Sequence, residues 1–258
     1  MNATCNQKCG LFEFMANDVG IKVLHPGGYN ATKHLCSYCN INKNSNILDL
    51  ACGVGTSSIY LHEEFNCNVT GIDIDEDLIS IAKAAKSKIT DDRKLTFKVA
   101  NALALPFPDN TFNTVVSQAV FILIDDNQKV LEEIARVLKP GGRLGALELS
   151  WFTTPTEEAY TELRSRTCDV FIPRVRTFDD WDSFFKSSQL THVETSKHAM
   201  QSGMLKMIKT EGLINFSKII IKMMGNASIR RRMMSVQEAF KKYKEYLGYG
   251  IYCYEKSK

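Results

Sequence analysis

The chain has 258 residues, 44% apolar and 24% charged, which is ordinary for a globular protein and enough for a sizeable core. No apolar run approaches the roughly 18 residues of a membrane span, since the densest stretch, Leu213 to Ile221, is broken by Asn215, Ser217 and Lys218. The net charge of +3 is uneven: Gly203 to Lys258 holds twelve Lys and Arg against four Glu, a surplus of +8 that leaves −5 for the residues before it.

In chain order, the opening MNATCNQKCGLFEFMANDVG lacks the basic flank and apolar run of a secretory signal, so a cytoplasmic protein is expected. HPGG (25–28) reads as a turn and is followed by a helix to about residue 39. Strand-like runs at 46–51, 68–73, 95–100, 111–118 and 143–150 then alternate with helical patterns at 56–66, 76–90 and 127–138. Strands that are apolar almost throughout, separated by helices, predict a parallel sheet covered on both faces. Beyond residue 150 come helices near 156–168 and 177–188, a strand at 192–200, a basic helical region at about 203–246 and a strand-like tail at 248–255. No Pro/Gly/Ser-rich linker divides the chain, which reads as one domain: an N-terminal cap (1–45), a core (46–150) and acceptor-side helices, a lid and two last strands (151–258).

Eight cysteines (Cys5, Cys9, Cys36, Cys39, Cys52, Cys67, Cys168 and Cys253) are scattered through a chain too long to need stapling and are expected as free thiols. Cys5, Cys9, Cys36 and Cys39 offer four sulfurs to a zinc ion, but Cys-x3-Cys is not a usual knuckle spacing. The plainer expectation is that Cys36 and Cys39 face inward from a helix and no metal is bound.

The informative stretch is ILDLACGVGTSS, residues 47–58. Gly53 and Gly55 can take positive φ and let a ligand approach the backbone. A pyrophosphate turn would want a third glycine where Ser58 stands, and Asp49 would repel a phosphate. Asp49 suits a ligand carrying an amino group or a sulfonium. Asp73 ends the second strand, where an acid accepts hydrogen bonds from both ribose hydroxyls. Asn101 and Ala102 follow the third strand: an amide for the polar edge of a purine and a small residue beside its ring. Asp75, rather than Asp73, reads as the cap of the helix that follows.

DLACGVG, GIDID, NALALPFPDNTFNTVVS and EIARVLKPGGRL, in this order and spacing, resemble the motifs of class I S-adenosylmethionine-dependent methyltransferases. They are similar to the small-molecule branch that includes quinone-biosynthesis, sarcosine and arsenite methyltransferases. The resemblance covers residues 46–150 and implies an α/β fold: a doubly wound, mostly parallel seven-stranded sheet with an antiparallel last strand and a helical cap. It implies S-adenosylmethionine as cofactor and a binding set of Asp49, Ala51, Gly53, Gly55, Asp73, Ile74, Asn101, Ala102 and Gln118. Asn101 departs from the family's acid; its carbonyl can still accept from the adenine amine. Gln118 either faces the transferred methyl group or caps its strand. HPGG resembles an element that some of these enzymes fold over the cofactor.

The expected reaction is in-line methyl transfer to a small-molecule acceptor, achieved by positioning and exclusion of water. No general base is identified; His25, His34 and Tyr29 are candidates by position only. Trp151 and Phe152 either cover the acceptor or pack in the core. SQAV after the fourth strand lacks the cysteine expected of an arsenite enzyme. No membrane partner is expected, and nucleic acid is disfavoured, because FSKIIIKMMG mixes its cations with apolar residues as a pocket lid would. The rival readings are an RNA or protein methyltransferase using the basic C-terminal region, and a cofactor-binding module without activity.

Overall fold

The computed structural model describes residues 10–89, 94–167, 172–200 and 204–257. Seven long strands form the sheet: β1 (Asn46–Leu50), β2 (Asn68–Asp73), β3 (Leu95–Val99), β4 (Phe112–Gln118), β5 (Leu138–Trp151), β7 (Leu190–Ala199) and β8 (Leu247–Lys256). Their order is β3-β2-β1-β4-β5-β8-β7, and a two-residue strand β6 (Arg176–Thr177) lies parallel against the end of β5. Pairing is parallel from β3 through β5, while β8 runs antiparallel to both β5 and β7. The expected antiparallel tail strand is thus present, inserted between two earlier ones.

Why the strands read as continuous apolar runs is visible in β1. Leu48 and Leu50 enter one buried cluster and Ile47 the other, so alternate residues serve opposite faces. On the first face lie α5 (Asn127–Val137), α6 (Glu157–Thr167), α7 (Phe178–Lys186) and α9 (Ala227–Lys242), contributing Leu131, Ile134, Leu163, Trp181, Phe185 and Val236. The second face is covered by α2 (Gly28–Tyr38), α3 (Thr56–Phe65) and α4 (Glu76–Lys86) through Leu35, Leu61, Ile79 and Ala82. Before them, α1 (Leu11–Glu13) runs into a wider turn, Phe14–Val19.

Local signals set the helix ends. Asp75 accepts the N–H groups of Asp77 and Leu78, as its place before α4 predicts. Thr177 and Asp180 form a capping box at α7. One boundary departs from expectation. KPGG does not separate helix from strand; β5 begins at Leu138, directly after α5, and Leu138 pairs with Phe112 before a register shift brings Arg143 opposite Thr114. Gly141 absorbs the irregularity at φ +74°.

Cys36 and Cys39 are buried, and the Cys39 Sγ lies 3.8 Å from that of Cys253. Cys5, Cys9 and Cys168 lie outside the described residues, among which no group of three or more metal-ligating side chains gathers.

The basic helical region forms α8 (Met204–Gly225), kinked at Gly212, and α9. Lys218, Lys222, Arg230 and Arg231 are exposed; the Lys222 Nζ donates to the carbonyls of Asn17 and Asp18, and Arg232, half-buried, stacks 4.2 Å from the Phe14 ring centroid. Apolar residues are found on both sides of α8: Ile219 is buried, whereas Leu213, Ile214, Ile221 and Met224 are exposed.

Candidate cofactor and acceptor site

The carboxyl ends of β1, β2, β3 and β4 meet at one edge of the sheet, where ligands bind in open α/β folds. Ala51 (φ +53°) and Gly53 (φ +55°) turn the chain out of β1, and Gly55 (φ +80°) starts α3. The Gly53 N–H donates to Asp73 Oδ2 at 2.9 Å, and the Asp75 N–H donates to Asp73 Oδ1 at 3.0 Å. One carboxylate therefore joins the glycine turn to the exit of β2. Each of its oxygens keeps a lone pair for a further donor.

The two glycines differ. A Cβ on Gly53 would meet nothing within 4 Å, whereas one on Gly55 would lie 2.6 Å from Phe97 and 2.9 Å from Ala82. Ser58, in the place of a third glycine, is buried, and a Cβ on Gly71 would sit 2.8 Å from its Oγ. Close approach of helix and sheet is thus achieved from the strand side, by the glycine in β2.

Asp49 lies beneath the turn and is buried, its Oδ2 accepting from Ser58 Oγ at 2.5 Å. Burial raises its carboxyl from 3.8 to about 7, the Ser58 bond opposing and the nearby Asp73 charge adding to the shift. Beside Asp73, Ile74 is 71% exposed, an aliphatic side chain presented to solvent. Asn101 makes a turn of its own, its Oδ1 accepting the Leu103 N–H at 2.9 Å, with Ala102 half-buried between them. The loop that follows is fixed by α5: Glu133 accepts the Leu105 N–H, while Arg136 bonds Glu133, Asp109 and the carbonyls of Leu105 and Phe107.

At the end of β4, Gln118 Oε1 accepts from Thr32 Oγ1 at 2.8 Å, and Thr32 Oγ1 lies 3.3 Å from His25 Nε2. HPGG and α2 are thereby tied to the sheet edge. Burial pushes His25 down to about 4, so its imidazole is neutral at physiological pH. The Gln118 Nε2 is buried without a hydrogen-bond partner. Such an atom is costly unless a ligand supplies the acceptor. Tyr29 packs 4.9 Å from Tyr60, and His34 stands 6.0 Å from His198.

Trp151 and Phe152 differ in exposure. Trp151 is buried; Phe152 is 39% exposed and packs 5.0 Å from Phe178.

Glu148, for which composition and spacing predict no role, is fully buried on β5. Its Oε1 accepts the N–H groups of Val120 and Phe121 and so shapes the loop after Gln118. The available signal was an acid inside the apolar run LGALELS. Burial lifts its carboxyl from 4.5 to about 8 against those bonds and the Arg176 charge. Because the folded state holds this proton more tightly than the unfolded chain, stability is full below 4.5 and falls as pH rises through about 8. The slope reaches about 1.4 kcal/mol per pH unit. Glu148→Gln keeps the accepting oxygen and should flatten that fall, leaving the share of Asp49 below about 7. Urea denaturation at several pH values checks this; parallel curves for parent and variant would refute it.

Comparison with known proteins agrees with this geometry. The profile of a methyltransferase domain matches residues 48–146. An uncharacterized protein of Haemophilus influenzae is 30% identical over 200 residues, covering 76% of this chain and 79% of its own length. A demethylmenaquinone methyltransferase of Listeria welshimeri is 35% identical over 120 residues, which is 46% of this chain and half (50%) of that protein. Among solved structures, phosphoethanolamine N-methyltransferase 2 of Haemonchus contortus, in complex with S-adenosyl-L-methionine, superposes with a TM-score of 0.75 at 18% identity, over 98% of this chain and 59% of that one. A glycine turn clamped by the acid of β2, inside the matched segment, makes the chain a member of the class I S-adenosylmethionine-dependent methyltransferases, with S-adenosylmethionine as its cofactor.

Proposed function

We propose that the chain moves a methyl group from S-adenosylmethionine to a small-molecule acceptor by in-line displacement, and that Asp49, Ala51, Gly53, Gly55, Asp73, Ile74, Asn101, Ala102 and Gln118 hold the cofactor. The observation that carries this is the bond from the Gly53 N–H to Asp73, with open space above Gly53 and the exposed Ile74 alongside. Asp73 takes the ribose hydroxyls on its remaining lone pairs. Ile74 covers one face of the adenine, and the Asn101 amide, fixed by Leu103, meets its polar edge. Gln118 Nε2 donates to the cofactor's polar end, a role that accounts for its missing partner. The demethylmenaquinone relative supports a small organic acceptor.

When bound, the cofactor supplies an electrophilic methyl on a positively charged sulfur. The residues need only align the acceptor and exclude water. With its basicity lowered to about 4, His25 is a poor proton acceptor at neutral pH, and its part is to position Thr32 and Gln118. Phe152 and Phe178 form a wall for the acceptor. The deciding experiment is a mass-spectrometric screen of cell-extract fractions with isotopically labelled cofactor. A labelled small product supports the reading; tight cofactor binding with no labelled product from any fraction points to a binding module.

Cofactor affinity should depend on pH through Asp49. In the free protein this carboxyl is protonated below about 7, and a positively charged ligand favours its ionised form. Binding then expels a proton below about 7, so affinity rises with pH to that point, by up to about tenfold per unit, and levels off. Calorimetry in buffers of different ionisation enthalpy measures the proton; Asp49→Asn should abolish the dependence. An unchanged proton count in that variant would remove Asp49 from the linkage.

A further inference from the structure

Between Glu211 and Glu238 the chain contains no acid, while it carries Lys218, Lys222, Arg230, Arg231 and Arg232. This stretch is the α8–α9 hairpin. Its inner side is fixed: Ile219, Met233, Val236 and Ala239 are buried, and Glu211 at its start accepts the N–H groups of Lys22 and Val23. Its outer side carries Leu213, Ile214, Ile221 and Met224, each 68% to 78% exposed. On an α-helix, positions 213, 214, 221 and 224 fall within about 100° of one another, so these side chains share one face. Lys218, Arg230 and Arg231 are exposed around it, and Arg230 donates to the carbonyls of Met223 and Met224 at the end of the stripe. Single exposed apolar residues are ordinary; four large ones on one face are not.

We propose that the outer face of the α8–α9 hairpin docks on the surface of an anionic lipid bilayer, Leu213, Ile214, Ile221 and Met224 entering the acyl boundary and Lys218, Arg230 and Arg231 meeting headgroup phosphates. Charge selects this occupant. A second copy of the same acid-free face would bring like charges together. RNA offers phosphates but no apolar layer, and the one aromatic residue of the stretch, Phe216, is half-buried and not presented for stacking. A bilayer supplies both the negative surface and the apolar layer. No helix among the described residues is long and apolar enough to cross a membrane, so the hairpin lies in the interface plane. This revises the expectation that no membrane is involved. It stands apart from the identity of the methyl acceptor.

Sedimentation with lipid vesicles tests it. The intact chain should partition at least about tenfold more strongly onto vesicles containing a third phosphatidylglycerol than onto pure phosphatidylcholine, and less so as salt rises. The variant L213Q/I214Q/I221Q/M224Q should lose about tenfold or more of that binding while keeping its cofactor affinity. K218S/R230S/R231S, which leaves the apolar stripe intact, should remove the preference for anionic vesicles. Equal partition onto both vesicle types, or unchanged binding by the glutamine variant, overturns the proposal. So does a concentration-dependent dimer that the glutamine variant abolishes, or binding of total RNA that the serine variant abolishes while vesicle binding persists.

Discussion

Gly55→Val should destabilise the fold by about 3–5 kcal/mol, a large share of the 5–15 kcal/mol typical of a domain. Two costs add. Gly55 sits at φ +80°, which a β-branched residue adopts with strain, and its Cβ would lie 2.6 Å from Phe97 and 2.9 Å from Ala82, both in the buried cluster under α3 and α4. Gly53→Val should behave differently. At φ +55° it bears the backbone strain, about 1–2 kcal/mol, but meets no neighbour within 4 Å. Its side chain projects into the space proposed for the cofactor, so the variant should fold and fail to bind. Urea midpoints at constant slope measure the first effect and calorimetry the second. A Gly53→Val protein with unchanged cofactor affinity would displace the ligand from the turn.

Asp73→Ala should weaken cofactor binding by roughly 1.5–3 kcal/mol, because two ribose hydroxyls lose a charged acceptor. The structure adds a second consequence. The same carboxylate accepts the N–H groups of Gly53 and Asp75, so the alanine variant also loosens the turn and costs stability of about 1–2 kcal/mol. Asp73→Asn separates the two, since its single oxygen keeps one of these bonds while the charge is gone. It should recover part of the stability and little of the affinity. Equal affinities for parent, Asn and Ala proteins would take Asp73 out of the site.

The parts of the molecule legible in sequence are those fixed by neighbours along the chain. NILDL, NVTGID and FNTVVSQ are strands because both faces of each are buried, and that condition is written in their composition. Asp75 was legible as a cap because capping acts over two or three residues. What escaped depends on distant partners. Thr32 acquires its role only when α2 lies 2.8 Å from a glutamine 86 residues away. Glu148 stands in an apolar run with nothing nearby in the chain to show what its carboxyl meets; its partners, the N–H groups of Val120 and Phe121, lie 28 and 27 residues away. Helical spacing predicts a one-sided lid because it places apolar residues on faces without saying which face meets the protein. On α8, Ile219 does and Ile221 does not.

The place of β8 has a consequence for synthesis. It lies between β5 and β7, yet it is made after both, and at ordinary elongation rates of about 5–20 residues per second the interval from Trp151 to Leu247 lasts roughly 5–20 s. Throughout that interval β5 has one long edge with nothing to pair with, and its residues 144–151 are all buried in the folded protein. The Rossmann half of the nascent chain can assemble early, but it must wait with an open, aggregation-prone seam. Folding of this chain is therefore paced by translation, and in a crowded cell that seam is where a holding chaperone has most to protect.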